Sequence, residues 1–435
     1  MKHRPIAIDL FAGCGGMSVG LEAAGFDIAV AVEFDAVHSL VHHFNFPYCQ
    51  TICRDIAKVT SREIWELLKL KGYATDVSLI AGGPPCQGFS LIGKRQIDDP
   101  RNSLVFEYLR IVGEIKPKYF IFENVPGMAT GKHKQFLEEL ISEFEAIGYT
   151  INQPIKILDA SEYGAPQKRR RLILIGSRKD VTMAKYPLTK TVDFNSAKKS
   201  AFTSVYDAIS DLELIPAFID TDLGIPASKL DYSGKRKKYS VQPRDIFKLC
   251  HQRTVDTKIY GHIGSVHTQR SIDRFIVTEP GTVEPKSRFF KLSSTGLCNT
   301  LRAGTNSDKG AYTAPRPIHY SIPRCITVRE AARLHTFPDW FQFHRTIWHG
   351  FREIGNAVIP LLSKELGDAV MEAMNINPAN FDQLILERMP EDLLLYNMSQ
   401  ASNYWGISDD VIPKRKRGVS QSALSATIRS RFFSM

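Results

Sequence analysis

The chain has 435 residues, of which 43% are hydrophobic, and it carries a formal net charge of +10. This length exceeds one ordinary domain, and the longest apolar runs are far shorter than a membrane-spanning helix requires. Seven cysteines without regular spacing fit a reducing compartment rather than a disulfide framework, and no Cys/His set stands at zinc-binding spacing. We therefore expect a cytoplasmic protein with no membrane segment, no metal site and a polyanionic partner.

The first elements of the chain form a strand, a glycine-rich turn and a helix. An apolar run at residues 6–11 leads into the glycine-rich turn at 12–16, and helical character follows over 17–24. A second predicted strand, at 28–32, ends in Glu33. In doubly wound α/β folds an acidic residue roughly 20 residues beyond the glycine turn contacts a cofactor ribose. This spacing predicts a cofactor site at the ends of the first two strands.

The same alternation of apolar runs and amphipathic stretches continues to about residue 179. We predict further strands at 77–81, 119–122, 151–158 and 172–175, and helices at 36–44, 61–70, 103–115 and 136–147. This order indicates an α/β fold with a doubly wound, mostly parallel sheet. Ligands bind such sheets at the carboxyl ends of the strands. We expect these residues on one rim of the sheet: Gly13, Glu33, Asp55, Cys86 and Glu123.

A stiff loop carrying Cys86 follows the predicted strand at 77–81. Pro84 and Pro85 fix their own φ angles and force extended backbone before them, so the loop is rigid up to the thiol. Glycines on both sides allow another molecule to approach closely. A buried structural cysteine needs no such frame, whereas a nucleophilic thiol must be exposed and rigidly aimed. Cys86 is therefore the predicted nucleophile.

The sequence of the glycine-rich turn argues against two classes of ligand, nicotinamide cofactors and nucleotides bound by a P-loop. Ser18 stands where a nicotinamide-binding turn has its third glycine, and no Gly-Lys-Ser/Thr follows to form a P-loop. The alternative is an adenosyl compound without a pyrophosphate. In that case Glu33 contacts the ribose hydroxyls, Phe34 the adenine face and Asp55 the adenine amino group.

The regular alternation fades beyond about residue 180. Residues 180–322 are rich in Lys, Ser, Thr and Pro, with short β-like pieces at 289–292 and 298–302. Helical character returns at 327–335, where Thr327 begins a capping-box pattern, and at 358–373. We divide the chain into a catalytic and cofactor-binding domain, a smaller irregular β-rich domain, a return to the catalytic domain, and an extension with a basic tail: 1–179, 180–322, 323–375 and 376–435.

Taken together, the motifs resemble the cytosine-C5 DNA methyltransferase family and follow one another in that family's order. The resemblance is carried by residues 9–16, 33–35, 55–56, 84–87, 123–125, 167–171, 324–338 and 355–360. Two positions depart from the family pattern. Arg170 stands where an acidic residue is common, and Ala357 replaces the usual serine.

The resemblance implies a Rossmann-like methyltransferase that uses S-adenosylmethionine, with residues 180–322 as its target recognition domain. Its cofactor-binding residues correspond to Phe11, Ala12, Gly13, Gly15, Glu33, Phe34, Asp55, Ile56, Pro84, Asn356 and Val358. Its catalytic residues correspond to Cys86, Glu123, Arg169 and Arg171. The expected DNA contacts are Gln87, Ser90, Lys94, Arg95, Gln167, Thr300 and Leu301.

The implied reaction is methylation of carbon 5 of a cytosine flipped out of double-stranded DNA. The Cys86 thiolate adds to carbon 6, Glu123 acts near N3, and Arg171 and Arg169 supply positive charge. We expect a monomer, associated with the nucleoid of a prokaryote, that protects DNA from a partner restriction endonuclease. The alternatives are a relative acting on transfer RNA and a non-catalytic DNA-binding relative.

Overall fold

The structure of the protein is a computed structural model. It describes residues 4–73, 76–85, 103–131, 133–190, 203–219, 221–230, 246–253, 258–304 and 316–408. Five predicted site residues lie outside the described residues: Cys86, Gln87, Ser90, Lys94 and Arg95.

An eight-stranded sheet forms the centre of the molecule, in the order β3-β2-β1-β4-β5-β8-β6, with β7 also paired to β8. The first five strands are parallel to one another, and β8 runs antiparallel to β5, β6 and β7. The strands are β1 (Ile6–Leu10), β2 (Asp27–Glu33), β3 (Gln50–Cys53), β4 (Leu79–Gly82), β5 (Tyr119–Asn124), β6 (Tyr149–Ile151), β7 (Lys156–Asp159) and β8 (Arg170–Arg178). The predicted doubly wound, mostly parallel sheet is confirmed.

Helices cover both faces of this sheet. Alternate residues of a strand therefore point into two different apolar cores. In β5, Tyr119 and Ile121 belong to one apolar cluster, whereas Phe120 and Phe122 belong to the other. Strands buried on both faces need such continuous apolar sequences. The helices of this part are α1 (Gly16–Ala23), α2 (Ala36–Asn45), α3 (Ser61–Leu70), α4 (Ser103–Ile115) and α5 (His133–Ala146).

One predicted strand is in fact two. The structure replaces the strand expected at 151–158 with β6 and β7, which both pair with β8. Pro154 lies between them and has no N–H to donate to a strand neighbour.

The described part of residues 180–322 has few strand residues. It contains α6 (Val205–Ile209), β9 (Ile225–Pro226), β10 (Gln252–Arg253), β11 (Lys258–Ile259) and α7 (Gln269–Val277). The β-like pieces expected at 289–292 and 298–302 form isolated bridges instead of strands. The expected β-rich character is therefore not confirmed.

Much of this region packs onto the catalytic part of the chain. Its apolar residues Val205, Ile209, Leu292 and Leu301 belong to the same cluster as α1. The segment 246–253 is tied to α1 and β2 as well, through Arg253 Nη2 to Glu22 Oε2 at 2.9 Å and His251 Nε2 to Asp27 Oδ1 at 2.9 Å. A separate smaller domain is not confirmed, and the domain limits remain predictions.

The C-terminal elements are α8 (Val328–Leu334), α9 (Ile347–Asn356), α10 (Pro360–Ala373), β12 (Ile385–Leu386) and α11 (Met398–Trp405). Thr327 and Glu330 form the predicted capping box of α8. Helix α10 packs so closely on α1 that a Cβ atom at Gly20 would lie 2.3 Å from the Pro360 carbonyl oxygen.

The extension beyond residue 375 packs against α2. Trp405 Nε1 donates a hydrogen bond to the Ala36 carbonyl oxygen at 3.1 Å, and Ala401 and Leu393 share an apolar cluster with Val37 and Leu40. Short 3₁₀ turns complete the structure, at Ile56–Lys58, Pro126–Ala129, Ala160–Tyr163, Ser210–Leu212, Ala227–Lys229, Pro378–Asn380 and Glu391–Leu395. Within the described ranges, every helix is too short or too polar to cross a membrane.

Candidate active site

The glycine-rich turn and Glu33 meet at the carboxyl ends of β1 and β2. The Gly13 N–H donates to Glu33 Oε2 at 2.8 Å, and the Asp35 N–H donates to Glu33 Oε1 at 2.8 Å. Gly13 and Gly15 have φ values of 56° and 109°, a region that favours glycine. Burial raises the pKa of Glu33, and the two backbone donors oppose this shift. The contact confirms that the glycine turn and the acidic residue are neighbours.

An open surface for a flat ligand lies beside Glu33. The Phe34 side chain is 43% exposed although it is large and apolar. Asp55, after β3, is partly exposed and accepts a hydrogen bond from the Ala57 N–H at 3.0 Å with one carboxylate oxygen. The next residue, Ile56, is buried, and its side chain belongs to the apolar core. Phe34 follows β2 and Asp55 follows the parallel neighbour β3, so both residues lie at the same end of the sheet.

The end of α9 lies next to the glycine-rich turn. A Cβ atom at Gly16 would lie 2.4 Å from the Val358 carbonyl oxygen, so the two segments are in direct contact. Asn356 is exposed and Val358 partly exposed. The structure thus brings together predicted cofactor residues from opposite ends of the chain, because α10 packs on α1.

The backbone that leads to the predicted thiol lies against Glu123. A Cβ atom at Gly83 would lie 2.5 Å from Glu123 Oε2, so a larger residue there would displace this carboxylate from its position. Asn124 Nδ2 donates to the Pro84 carbonyl oxygen at 3.1 Å. Pro84 is buried and Pro85 exposed. Asn124 was not predicted as a site residue, although it adjoins Glu123 in the sequence.

Glu123 forms an ion pair with Arg171 at the same end of the sheet. Arg171 Nε lies 2.5 Å from Glu123 Oε1, and the two side chains are 15% and 11% exposed. Strand β8 is antiparallel to β5, and this register sets Arg171 beside the end of β5. The rim therefore presents a carboxylate and a guanidinium next to the loop of the predicted nucleophile.

Arg169 is buried, and its hydrogen-bond partners among the described residues are backbone carbonyls. Its Nη1 donates to Leu301 O at 2.8 Å, and its Nη2 donates to Gly355 O at 2.9 Å and Ala357 O at 3.0 Å. Burial and the charge of Arg171 lower the pKa of Arg169 well below its ordinary value. These contacts join three segments of the chain, and a catalytic role for Arg169 remains a prediction.

Two predicted DNA contacts are inside the protein, and here the structure differs from the prediction. Gln167 is fully buried; its Nε2 lies 3.1 Å from His335 Nδ1, and its Oε1 accepts from the Leu301 N–H at 3.1 Å. Leu301 is buried as well. A buried amide must form its hydrogen bonds within the protein, and Gln167 forms one of them with the backbone of Leu301. Thr300 is partly exposed, and its hydroxyl donates to Lys168 O at 2.7 Å.

The ion pair between Arg352 and Asp35 was also not predicted. Arg352 Nη1 donates to Asp35 Oδ2 at 2.8 Å. Asp35 adjoins Glu33 and Phe34, but Arg352 is 317 residues away in the sequence, so no local pattern indicates the contact. Among the described residues, no group of three or more Cys, His, Asp and Glu side chains could hold a metal ion.

The sheet topology and the arrangement of the rim define a Rossmann-like methyltransferase. The family described as C-5 cytosine-specific DNA methylase matches residues 6–372, and the chain belongs to this family. It is an enzyme that methylates cytosine in DNA at carbon 5.

Relatives match over nearly the whole length. The type II methyltransferase M.XorII of Xanthomonas oryzae pv. oryzae is 45% identical over 97% of each chain. M.DdeI of Desulfomicrobium norvegicum, also a type II methyltransferase, is 34% identical over 93% of this chain and 97% of its own.

Solved structures agree with this assignment. A DNA modification methyltransferase encoded within an E. coli prophage superposes with a TM-score of 0.67 and 31% identity, covering 85% of this chain and 99% of its own. The S. pombe Dnmt2 methyltransferase, with a TM-score of 0.52, 17% identity and coverage of 87% and 100%, supports the fold alone.

Proposed function

We propose that the methyl donor is S-adenosylmethionine, that Cys86 is the nucleophile, and that the enzyme is the modification member of a type II restriction-modification system. The observation that carries the catalytic part is the Glu123–Arg171 ion pair beside Gly83, three residues before Cys86. A carboxylate and a guanidinium beside the backbone that leads to Cys86 suit covalent activation of a pyrimidine by its thiol.

The residues of the rim fit an adenosyl cofactor. Glu33 offers carboxylate oxygens for ribose hydroxyls, and the exposed Phe34 ring offers a stacking face for adenine. The positive φ values of Gly13 and Gly15 let the backbone approach a ligand closely. S-adenosylmethionine, when bound, supplies an electrophilic methyl group on a sulfonium. The Asn356 and Val358 segment is proposed to close the site from the other side.

The proposed reaction of the chain's own residues begins at Cys86. Its thiolate forms a bond to carbon 6 of the cytosine, and the electron pair of the 5,6 double bond then makes carbon 5 nucleophilic. Glu123 holds a proton at N3, and Arg171 stabilises negative charge at O2. After methyl transfer, carbon 5 loses its proton to a base, and the re-formed double bond expels the thiolate.

The target base must leave the duplex for this reaction. We propose that the loop carrying Gln87, Ser90, Lys94 and Arg95 contacts the DNA from one groove, and that the recognition region, with Thr300, contacts it from the other. Two relatives that match over almost the whole chain have names of type II methyltransferases, which supports pairing with a restriction endonuclease.

The test is transfer of a tritiated methyl group from S-adenosylmethionine to unmethylated bacteriophage DNA, followed by bisulfite sequencing. The wild-type protein is expected to label duplex DNA at one sequence context and to leave transfer RNA in the same reaction unlabelled. Cys86→Ser is expected to lower kcat by at least about 10³-fold, since the covalent route is lost. Undiminished transfer by Cys86→Ser would contradict the mechanism, and label in transfer RNA alone would contradict the substrate.

A further inference from the structure

The ion pair between Arg352 and Asp35 joins the adenosine side of the rim to α9. The side chains of Arg352 and Asp35 are only 15% and 5% exposed. Hydrogen bonds between two charged groups are short and strong, and this one is largely shielded from water. The pair therefore fixes the position of the turn after β2 relative to α9.

Asp35 forms hydrogen bonds with both Glu33 and the start of α2. Its Oδ1 caps α2 by accepting from the N–H groups of Val37 at 3.0 Å and His38 at 3.2 Å. Its own N–H donates to Glu33 Oε1, and the Gly13 N–H donates to Glu33 Oε2, both at 2.8 Å. Glu33 is thus held at both oxygens, and one of these contacts depends on where Asp35 lies.

We propose that Arg352 is a positioning residue of the adenosine site: by holding Asp35 it sets the Glu33 carboxylate and the Phe34 ring. Phe34 is 43% exposed, so its place depends on its backbone neighbours more than on packing. This inference rests on the proposed function, because it takes S-adenosylmethionine as the ligand of Glu33 and Phe34.

Arg352 is the cation that faces Asp35 at neutral pH. Burial alone would raise the pKa of Asp35, but His38 and Arg352 lower it below its ordinary value. Burial also lowers the pKa of three neighbouring imidazoles to about 3 or 4 and raises that of a neighbouring carboxyl to about 8: His38, His344, His349 and Glu353. Removing the guanidinium would leave a buried carboxylate without a charged partner.

The test compares Arg352→Met with Arg352→Lys in the full-length protein. Binding of S-adenosylmethionine is measured by calorimetry, and KM and kcat are measured with unmethylated bacteriophage DNA. For Arg352→Met we expect Kd and KM for S-adenosylmethionine to rise about tenfold or more, the size of a lost hydrogen bond to a charged group. The KM for DNA and kcat at saturating cofactor should stay within about twofold, and Arg352→Lys should recover most of the affinity.

Two further variants separate positioning from a general loss of folding. Asp35→Asn keeps the capping oxygen but removes the charge; it should also weaken cofactor binding, and adding Arg352→Met should weaken it no further. Arg178→Met is the control, because Arg178 pairs with Asp180 at the end of β8, four strands away from β2 in the sheet. Its Kd should equal that of the wild type.

The outcomes that overturn the inference differ from those that overturn the proposed function. If Glu33→Ala abolishes cofactor binding while Arg352→Met and Asp35→Asn bind as tightly as the wild type, Arg352 is not a positioning residue and the proposed cofactor site stands. If the wild-type protein does not bind S-adenosylmethionine, the proposed function is wrong, and the inference fails with it.

Discussion

Two halves of the rim, the proposed cofactor half and the proposed catalytic half, hold their side chains in different ways. In the cofactor half, defined as Gly13, Glu33, Phe34 and Asp55, the carboxylate oxygens accept hydrogen bonds from backbone N–H groups. In the catalytic half, defined as Glu123, Arg169 and Arg171, guanidinium groups donate to a carboxylate or to carbonyls. The cofactor half depends mainly on the path of the backbone, and the catalytic half mainly on side-chain charge.

The titratable groups around the two halves also differ. Around the cofactor half, burial raises the pKa of Asp9 to about 7 and that of Glu353 to about 8, and the buried charges of Asp35 and Arg352 pair with each other. The catalytic half instead concentrates two guanidinium groups near one carboxylate. A site that must stabilise charge on a reacting base needs fixed charges, whereas a binding surface needs shape. Changes of charge should therefore affect chemistry in one half and binding in the other.

The largest effect is expected for Arg171→Met. Loss of the cation that pairs with Glu123 should lower kcat by about 10²- to 10³-fold while the Kd of S-adenosylmethionine stays unchanged. Single-turnover assays at saturating cofactor measure the first quantity and calorimetry the second. Arg170→Met is the control, because Arg170 is the exposed neighbour on β8. If Kd rises while kcat is retained, Arg171 acts in cofactor binding, and the proposed difference between the two halves is wrong.

A smaller effect, on stability, is expected for Arg169→Met. The carbonyl oxygens of Leu301, Gly355 and Ala357 would each lose a buried donor. We expect the free energy of unfolding to fall by about 2–4 kcal/mol. Urea denaturation followed by circular dichroism measures this quantity. If the variant is as stable as the wild type but has lost activity, Arg169 acts in catalysis and not in joining the three segments.

The last expected effect is on the pH dependence of stability, for Glu353→Gln. Burial raises the pKa of Glu353 from 4.5 to about 8, so the folded protein retains a proton that the unfolded chain releases above about pH 4.5. Stability contributed by this group is complete below pH 4.5 and is lost as the pH rises towards 8. Removing the titration should raise the stability of the variant relative to the wild type by at most about 1.4 kcal/mol per pH unit across this range.

Urea denaturation at pH 5, 6.5 and 8 checks this slope. Glu372→Gln, at an exposed position of α10, is the control. If Glu353→Gln and the wild type lose stability in parallel as the pH rises, the buried carboxyl does not stay protonated in the folded protein.

Local patterns predicted the cofactor half better than the catalytic half. The glycine turn and Glu33 each follow a predicted strand, and parallel strands place their carboxyl ends on one edge. Asp55 follows β3, a strand that was not predicted. Gln167 carried no local sign of burial, since the four residues that follow it, 168–171, are all basic, and nothing local to Leu301 indicated its contact with Gln167. Their position depends on contacts with residues 132 to 168 positions away.

The sequence by itself determined the doubly wound sheet, the order of the motifs and the residues that end the strands, because apolar periodicity and glycine turns act over a few neighbours. Only the tertiary structure decided that Arg169 binds three backbone carbonyls, that Arg171 pairs with Glu123, and that Arg352 holds Asp35. These contacts join segments up to 317 residues apart, and such pairs form only after the sheet and helices have packed.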